Sequence, residues 1–154
     1  MILVTVGTAS FDPLIMRMDA LVGDKDLSES VVAQIGRGLY IPQHIRYFRF
    51  IRSLEKAYSL ASVVVSTGGA GTTMECVTVG KKLVVVENAT LAEGHQAQLL
   101  GEMERRGHLV WCRDLDSLMT CINAVRVKAI TPFRSDPPRI HRLIEKLLDG
   151  NSSK

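Results

Sequence analysis

The sequence has few cysteines, little net charge and no long apolar run, and each shortage removes a class of protein. Its three cysteines, Cys76, Cys112 and Cys121, are odd in number and lack C-x-x-C spacing. That disfavours a disulfide framework and a zinc site, and leaves buried free thiols as the simple reading. The formal charge is only +3, from 19 basic and 16 acidic residues. Read as a small and evenly spread excess, it does not call for a nucleic acid. The apolar run that opens the chain breaks at Gly7, far short of a signal sequence or membrane span, so the chain reads as cytosolic. No internal repeat, linker or low-complexity segment interrupts it.

What is present is the composition of one folded domain. Hydrophobic residues make up 46% and charged residues 23% of 154, enough for a single core over residues 1–150, with 151–154 as a polar tail. Ile2 to Val6, Val31 to Ile35, Ile45 to Phe50, Ser62 to Ser66, Lys82 to Glu87 and His108 to Cys112 read as short β-branched strands. Between them the apolar period lengthens to that of helices. One runs from Pro13 to about Val22 with Asp12 as its expected cap, and another from a Ser53 cap to Leu60. Others span Thr72 to Val79, Gly94 to Arg106, and Asp114, as expected cap, to Val127. Pro137-Pro138 opens an amphipathic helix with Ile140, Leu143, Ile144, Leu147 and Leu148 on one face, a candidate for core packing or for docking a partner. This alternation predicts an α/β fold: a single Rossmann-like open parallel sheet of about six strands with helices on both faces. Ligands of such sheets sit at the carboxyl ends of the strands, which points to the loops Gly7 to Asp12 and Ser66 to Thr73.

The second loop has the chemistry of a diphosphate site. Glycines let backbone approach a ligand, the following helix start offers unpaired N–H groups, and the hydroxyls of Ser66, Thr67, Thr72 and Thr73 add donors. A tight structural strand-to-helix turn needs the same small residues. No Gly-Lys-Ser or Gly-Lys-Thr follows, so the loop is not a P-loop. Read as a dinucleotide fingerprint, Gly69-Ala70-Gly71 has Met74 where the third glycine belongs, although Glu87 suits the ribose acid, so a nicotinamide-binding oxidoreductase stays open as an alternative. Glu75, on the helix after the glycines, is placed to receive ribose hydroxyls, and His95-Gln96 at the next helix start suits sugar hydroxyls. Asp24-Lys25-Asp26 and Asp114-Leu115-Asp116 have D-x-D spacing but fall in a charged loop and at an expected helix cap, so no metal ligand is assigned.

Val4-Thr5-Val6-Gly7-Thr8 with Phe11-Asp12, then Gln34 and Gly36, Ser66 to Thr73 with Glu75, Val86-Glu87-Asn88, and Gly94-His95-Gln96 follow one another along nearly the whole chain. In that order they resemble the carboxyl-terminal domain of glycosyltransferase family 28. The likeness is strongest to the small subunits of two-part transferases of lipid-linked oligosaccharide and exopolysaccharide synthesis. The resemblance implies the donor half of a GT-B fold that binds a UDP-sugar. By motif position Gly7 and Thr8 approach the diphosphate, and Ser66, Gly69, Ala70, Gly71 and Thr72 line the nucleotide and phosphate pocket. Glu75 holds the ribose, while Asn88, His95 and Gln96 contact the donor sugar. Such subunits usually carry Ser-His-Ala-Gly where this chain has Ser66-Thr67-Gly68-Gly69, so any role of that histidine is absent or moved.

The implied reaction is inverting transfer of N-acetylglucosamine or a related hexose, without a metal or other cofactor. The leaving diphosphate is stabilised by helix-start amides. No carboxylate or histidine is clearly placed as general base, and the base is expected on a partner. Because a GT-B enzyme works across two domains, the expected partner is a membrane-anchored subunit that binds a lipid-linked acceptor and holds this chain at the cytosolic membrane face. A non-catalytic nucleotide-sugar-binding module remains the competing reading.

Overall fold

Consecutive β-branched residues form strands covered on both sides, and the strands lie side by side in one sheet. The computed structural model describes residues 1–86, 88 and 94–134, with 94–96 described only by their place in a helix. The elements are β1 (Ile2–Thr5), α1 (Asp12–Gly23), β2 (Val31–Gln34), β3 (Arg46–Phe48), α2 (Glu55–Leu60), β4 (Val63–Ser66), α3 (Ala70–Thr78), β5 (Leu83–Val86), α4 (Gly94–Arg105), β6 (Val110–Cys112) and α5 (Leu118–Val127). All the pairings are parallel and the strand order is β3-β2-β1-β4-β5-β6. This is the expected single Rossmann-like sheet. The chain reverses its direction of travel across the sheet between β1 and β4, so the crevice above that pair is the topological switch point.

The two faces of the sheet carry separate cores, set by the period of two along each strand. Ile2, Val4, Ala33, Val63, Val65, Val84 and Val86 pack under α1 and α5, against Leu14, Ile15 and Met18 of α1 and Leu118, Ile122 and Val125 of α5. Leu3, Val64, Leu83 and Val85 turn the other way, toward Tyr58 of α2, Cys76 and Val77 of α3, and Leu100 and Met103 of α4. Full burial of each such aliphatic side chain contributes roughly 1.5–3 kcal/mol, which is why the central strands have the most apolar sequences. After α5 the chain crosses back beneath α3. Phe133 N–H donates to Val77 O at 2.8 Å, and its ring meets His108 edge-on at 5.5 Å between centroids.

Three expected caps act differently. Asp12 is the first residue of α1 rather than its cap, Phe11 holding that position without a side-chain bond. The Asp12 carboxylate is used elsewhere, accepting from Leu39 N–H at 2.9 Å and Tyr40 N–H at 3.1 Å. Asp114 lies in the turn before α5, where it accepts from Ser117 N–H at 2.8 Å, and the helix begins only at Leu118. Ser53 Oγ accepts from Glu55 N–H at 3.2 Å, one residue outside the Leu54 cap of α2. The Pro137 to Leu148 segment and Glu87 lie outside the described residues.

Candidate functional site

A cleft of ≈ 1210 Å³ opens at the switch point and continues between α2 and α3. Its upper wall is the loop after β1. Gly7 turns there with φ +65°, in the left-handed region that favours glycine. Its N–H donates to Thr5 Oγ1 at 3.1 Å, and Thr5 Oγ1 donates to Gln34 Oε1 at 2.6 Å. That chain of bonds fixes the ends of β1 and β2 and leaves Gly7, Thr8 and Gln34 lining the cleft. The next loop is pressed against this one: a Cβ on Gly36 would stand 2.2 Å from Ala9 O and 2.8 Å from Gly7 O.

The opposite wall is the turn from β4 into α3, where the glycines divide their work. Gly68 has φ +78°, and a Cβ on it would come within 2.9 Å of Val85 Cγ1, so its smallness serves packing. Gly69 and Gly71 face open space, with nothing within 4 Å of an added Cβ. Gly69 caps α3 without any side-chain bond, and the first helical bond there runs from Thr73 N–H to Gly69 O. The amides of Ala70, Gly71 and Thr72 precede that bond, so the helix start presents donors and its positive dipole end. One turn on, Glu75 is exposed and lines the cleft beside Thr72 and Met74.

The structure thus gathers Gly7, Thr8, Gly71, Thr72 and Glu75 around one space. Ser66 is close by, but its side chain is buried and its Oγ accepts from Gly68 N–H at 3.4 Å within its own turn. Gly69 and Ala70 are exposed at the helix start, outside the cleft lining. Asn88, after β5, is buried. His95 and Gln96 fall in the first turn of α4, and their side chains lie outside the described residues. Asp24 and Asp26 follow α1 and so sit at the opposite, amino-terminal edge of the sheet, away from the cleft.

The sequence reading missed the α2 wall. Arg52, Leu54, Glu55, Tyr58 and Ser59 line the cleft, because α2 and α3 cover the same face of the sheet. Lys81 at the far end donates to Ala61 O at 3.2 Å, neutralising the carboxyl end of α2. Burial pushes the Tyr58 phenol well above its ordinary value. Its hydroxyl lies beside Thr72 and Glu75 without a bonded partner among the described residues. Of the three thiols expected to be buried, Cys76 and Cys112 are, and Cys121 is half-buried; burial pushes Cys76 and Cys112 up to about 12, where a thiolate is not formed near neutral pH. Among the described residues no group of His, Cys, Asp and Glu is arranged to hold a metal ion, and no helix is long and apolar enough to cross a membrane.

A parallel sheet in this strand order, with helices on both faces and a crevice at its switch point, defines the Rossmann-like α/β fold found in GT-B glycosyltransferases. Residues 1–107 match the glycosyltransferase family 28 C-terminal domain, and the chain belongs to that family. It is 37% identical over 120 residues to mouse UDP-N-acetylglucosamine transferase subunit ALG13, and 34% identical over 142 residues to the human subunit. Those matches cover 71% and 85% of this chain but only 10% and 12% of the relatives, so the chain spans about a tenth of their length. A bacterial relative is the UDP-N-acetylglucosamine–N-acetylmuramyl-(pentapeptide) pyrophosphoryl-undecaprenol N-acetylglucosamine transferase of Christiangramia forsetii, 35% identical over 81 residues, 48% of this chain and 22% of that one. Among solved structures, the solution structure of ALG13 superposes with a TM-score of 0.60 at 16% identity, covering 96% of this chain and 94% of that one. At that identity the likeness concerns the fold.

Proposed function

We propose that this chain is the donor-binding subunit of an inverting glycosyltransferase, which moves N-acetylglucosamine or a related hexose from a UDP-sugar to a lipid-diphosphate-linked acceptor. The observation that carries the reading is the juxtaposition at the switch point of the open start of α3 with Glu75 one turn further on. The diphosphate lies against the amides of Ala70, Gly71 and Thr72, with Gly7 and Thr8 opposite. The Glu75 carboxylate accepts from both ribose hydroxyls, a pairing that an ionised carboxylate satisfies with its two oxygens. Asn88, His95 and Gln96 take the sugar.

In this mechanism the acceptor hydroxyl attacks the anomeric carbon and the bond to the β-phosphate oxygen breaks on the opposite face, so UDP leaves with the electron pair. Fixed amides and the dipole of α3 stabilise the growing charge without reorganising. The acceptor proton goes to a base on a second subunit, which supplies the other half of a two-domain cleft. The names of the relatives support this reading: one kind is called a transferase subunit and another uses a pyrophosphoryl-undecaprenol acceptor. The partner is therefore a membrane-anchored, acceptor-binding protein, and the chain works at the cytosolic membrane face.

Calorimetric titration with UDP, UDP-N-acetylglucosamine and NAD tests the site. Saturable UDP binding that weakens at least tenfold in Glu75→Ala, about 1.4 kcal/mol, is the expected result. Binding of NAD in preference to UDP, or UDP binding indifferent to Glu75, overturns it. Addition of an acceptor-binding partner then separates turnover from mere binding.

A further inference from the structure

Among the described residues lining the cleft, Tyr58 alone has a buried side-chain polar atom without a hydrogen-bond partner. Its ring packs with Leu3, Val64, Cys76 and Val77, and the residue is 7% exposed. Lys81 Nζ donates to Ser59 O at 3.5 Å and to Ala61 O at 3.2 Å, which ties the end of α2 to the chain that follows α3. The phenol is therefore held by packing on one side and through the backbone on the other. A ring with only two side-chain torsions loses little further freedom when its hydroxyl makes a bond.

Glu75 is its opposite. It is exposed and lines the same cleft, and among the described residues no ion pair engages its carboxylate. Such a side chain must give up its rotamer freedom when it grips a ligand. Thr72 and Glu75 stand one turn apart on α3, and the Tyr58 hydroxyl lies beside both. An ionised carboxylate has acceptor sites for about four bonds. Two ribose hydroxyls take two of them, which leaves room for the phenol. Burial, with the Glu75 charge adding to it, holds the phenol above its ordinary value, so it keeps the proton that a carboxylate can only accept.

We propose that Tyr58 is a positioning residue for the ribose-binding carboxylate: when a ribonucleotide is bound, its Oη donates to Glu75 and accepts from Thr72. This role rests on the donor-site reading. A buried donor that opposes folding while unpaired gains its partner in the complex, where the ligand covers Glu75 and excludes water from the bond. The fixed phenol then selects the Glu75 rotamer that faces both ribose hydroxyls. Tyr58 acts through Glu75 and makes no bond to the nucleotide itself.

Calorimetry on the whole chain tests it, with UDP and 2′,3′-dideoxy-UDP as probes, on the parent, Tyr58→Phe, Glu75→Ala and the double variant. Tyr58→Phe is expected to weaken UDP binding about threefold or more. It should leave dideoxy-UDP binding unaltered, because that ligand has no hydroxyls for Glu75 to hold. In the Glu75→Ala background the same substitution is expected to cost nothing further. Thermal unfolding of the free chains verifies that each variant folds. A tyrosine with a merely structural role would weaken both ligands alike, with Glu75 or without it, and that pattern overturns the proposal. Loss of UDP affinity in Glu75→Ala with none in Tyr58→Phe overturns it as well and leaves the ribose site standing. If the parent binds no UDP, or Glu75→Ala leaves UDP affinity unchanged, the donor-site reading fails and this role with it.

Discussion

Thr5 and Gln34 are joined across the β1–β2 pair by a 2.6 Å hydrogen bond from hydroxyl to side-chain carbonyl, and both side chains are buried. The same hydroxyl accepts from Gly7 N–H, so one polar atom fixes the loop that forms the upper wall of the cleft. Thr5→Val keeps the shape but leaves a buried carbonyl and an amide without their partner. The expected cost is about 1–3 kcal/mol, read as a fall in the denaturation midpoint. UDP affinity falls with it, because Gly7 is no longer held. A variant as stable as the parent would show that water or another group replaces the hydroxyl.

The two glycine roles can be separated by experiment. Gly68→Ala places a Cβ in a left-handed position and 2.9 Å from Val85 Cγ1, so it should destabilise by about 1–3 kcal/mol. Gly71→Ala adds a methyl into open space in the first turn of α3, and stability should hold or rise by a few tenths of a kcal/mol. In the proposed site that methyl occupies the space through which the diphosphate approaches, so UDP affinity should drop about tenfold or more, about 1.4 kcal/mol. Calorimetry and thermal unfolding on both variants check the pattern. Unchanged UDP affinity in Gly71→Ala would move the phosphates away from α3.

Most of the fold was legible in the sequence, for a physical reason. Strands buried on both faces must be apolar at every position, and Val63-Val64-Val65 and Leu83-Val84-Val85-Val86 announce themselves. Helix stops were equally plain at Gly80 and Gly107, both with positive φ. The cleft was half legible: glycines and Glu75 on α3 have a recognisable chemistry, whereas the α2 wall is made of ordinary residues brought there by the crossover. The segment between β2 and β3, which lies along α1, was illegible. It has no period, and what fixes it is two aspartates of α1 more than twenty residues earlier in the chain, Asp12, which read as a cap, and Asp19, which drew no reading. Asp19 is 2% exposed, and a buried acid satisfied by three backbone amides leaves no local signature in sequence.

Stability should depend on acid through Glu29, at the edge of the sheet opposite the cleft. Its carboxylate receives the amino group of Met1, the hydroxyl of Ser62 and Arg126 Nη2, the last at 2.7 Å. Burial alone would raise its pKa, but these donors outweigh it and hold the carboxyl at about 2, against an ordinary 4.5. A depressed folded-state value means that the stabilisation is complete above about 4.5 and is lost as pH falls toward 2. The group is partly exposed, so solvent screening leaves about 1–2 kcal/mol. Asp19, where hydrogen bonds also overcome burial, adds in the same direction. Urea midpoints measured from pH 6 to 2 should fall in the parent and fall less steeply in Glu29→Gln. Parallel curves would show that the cluster is not formed in solution.

Tyr58 tests how the floor of the cleft is built. Its ring is 7% exposed and packs with Leu3, Val64 and Cys76, while its hydroxyl lacks a hydrogen-bond partner among the described residues. A buried hydroxyl without a partner opposes folding, and its removal is neutral or favourable when the ring remains. Tyr58→Phe is therefore expected to match or exceed the parent in thermal stability. Tyr58→Ala removes the ring from a closed core and should cost about 3–5 kcal/mol. The pair of variants divides apolar packing from polar bonding at one position. A loss above about 1 kcal/mol in Tyr58→Phe would mean that the hydroxyl bonds to Thr72 or Glu75 in solution, making α2 a support for the carboxylate proposed to hold the ribose.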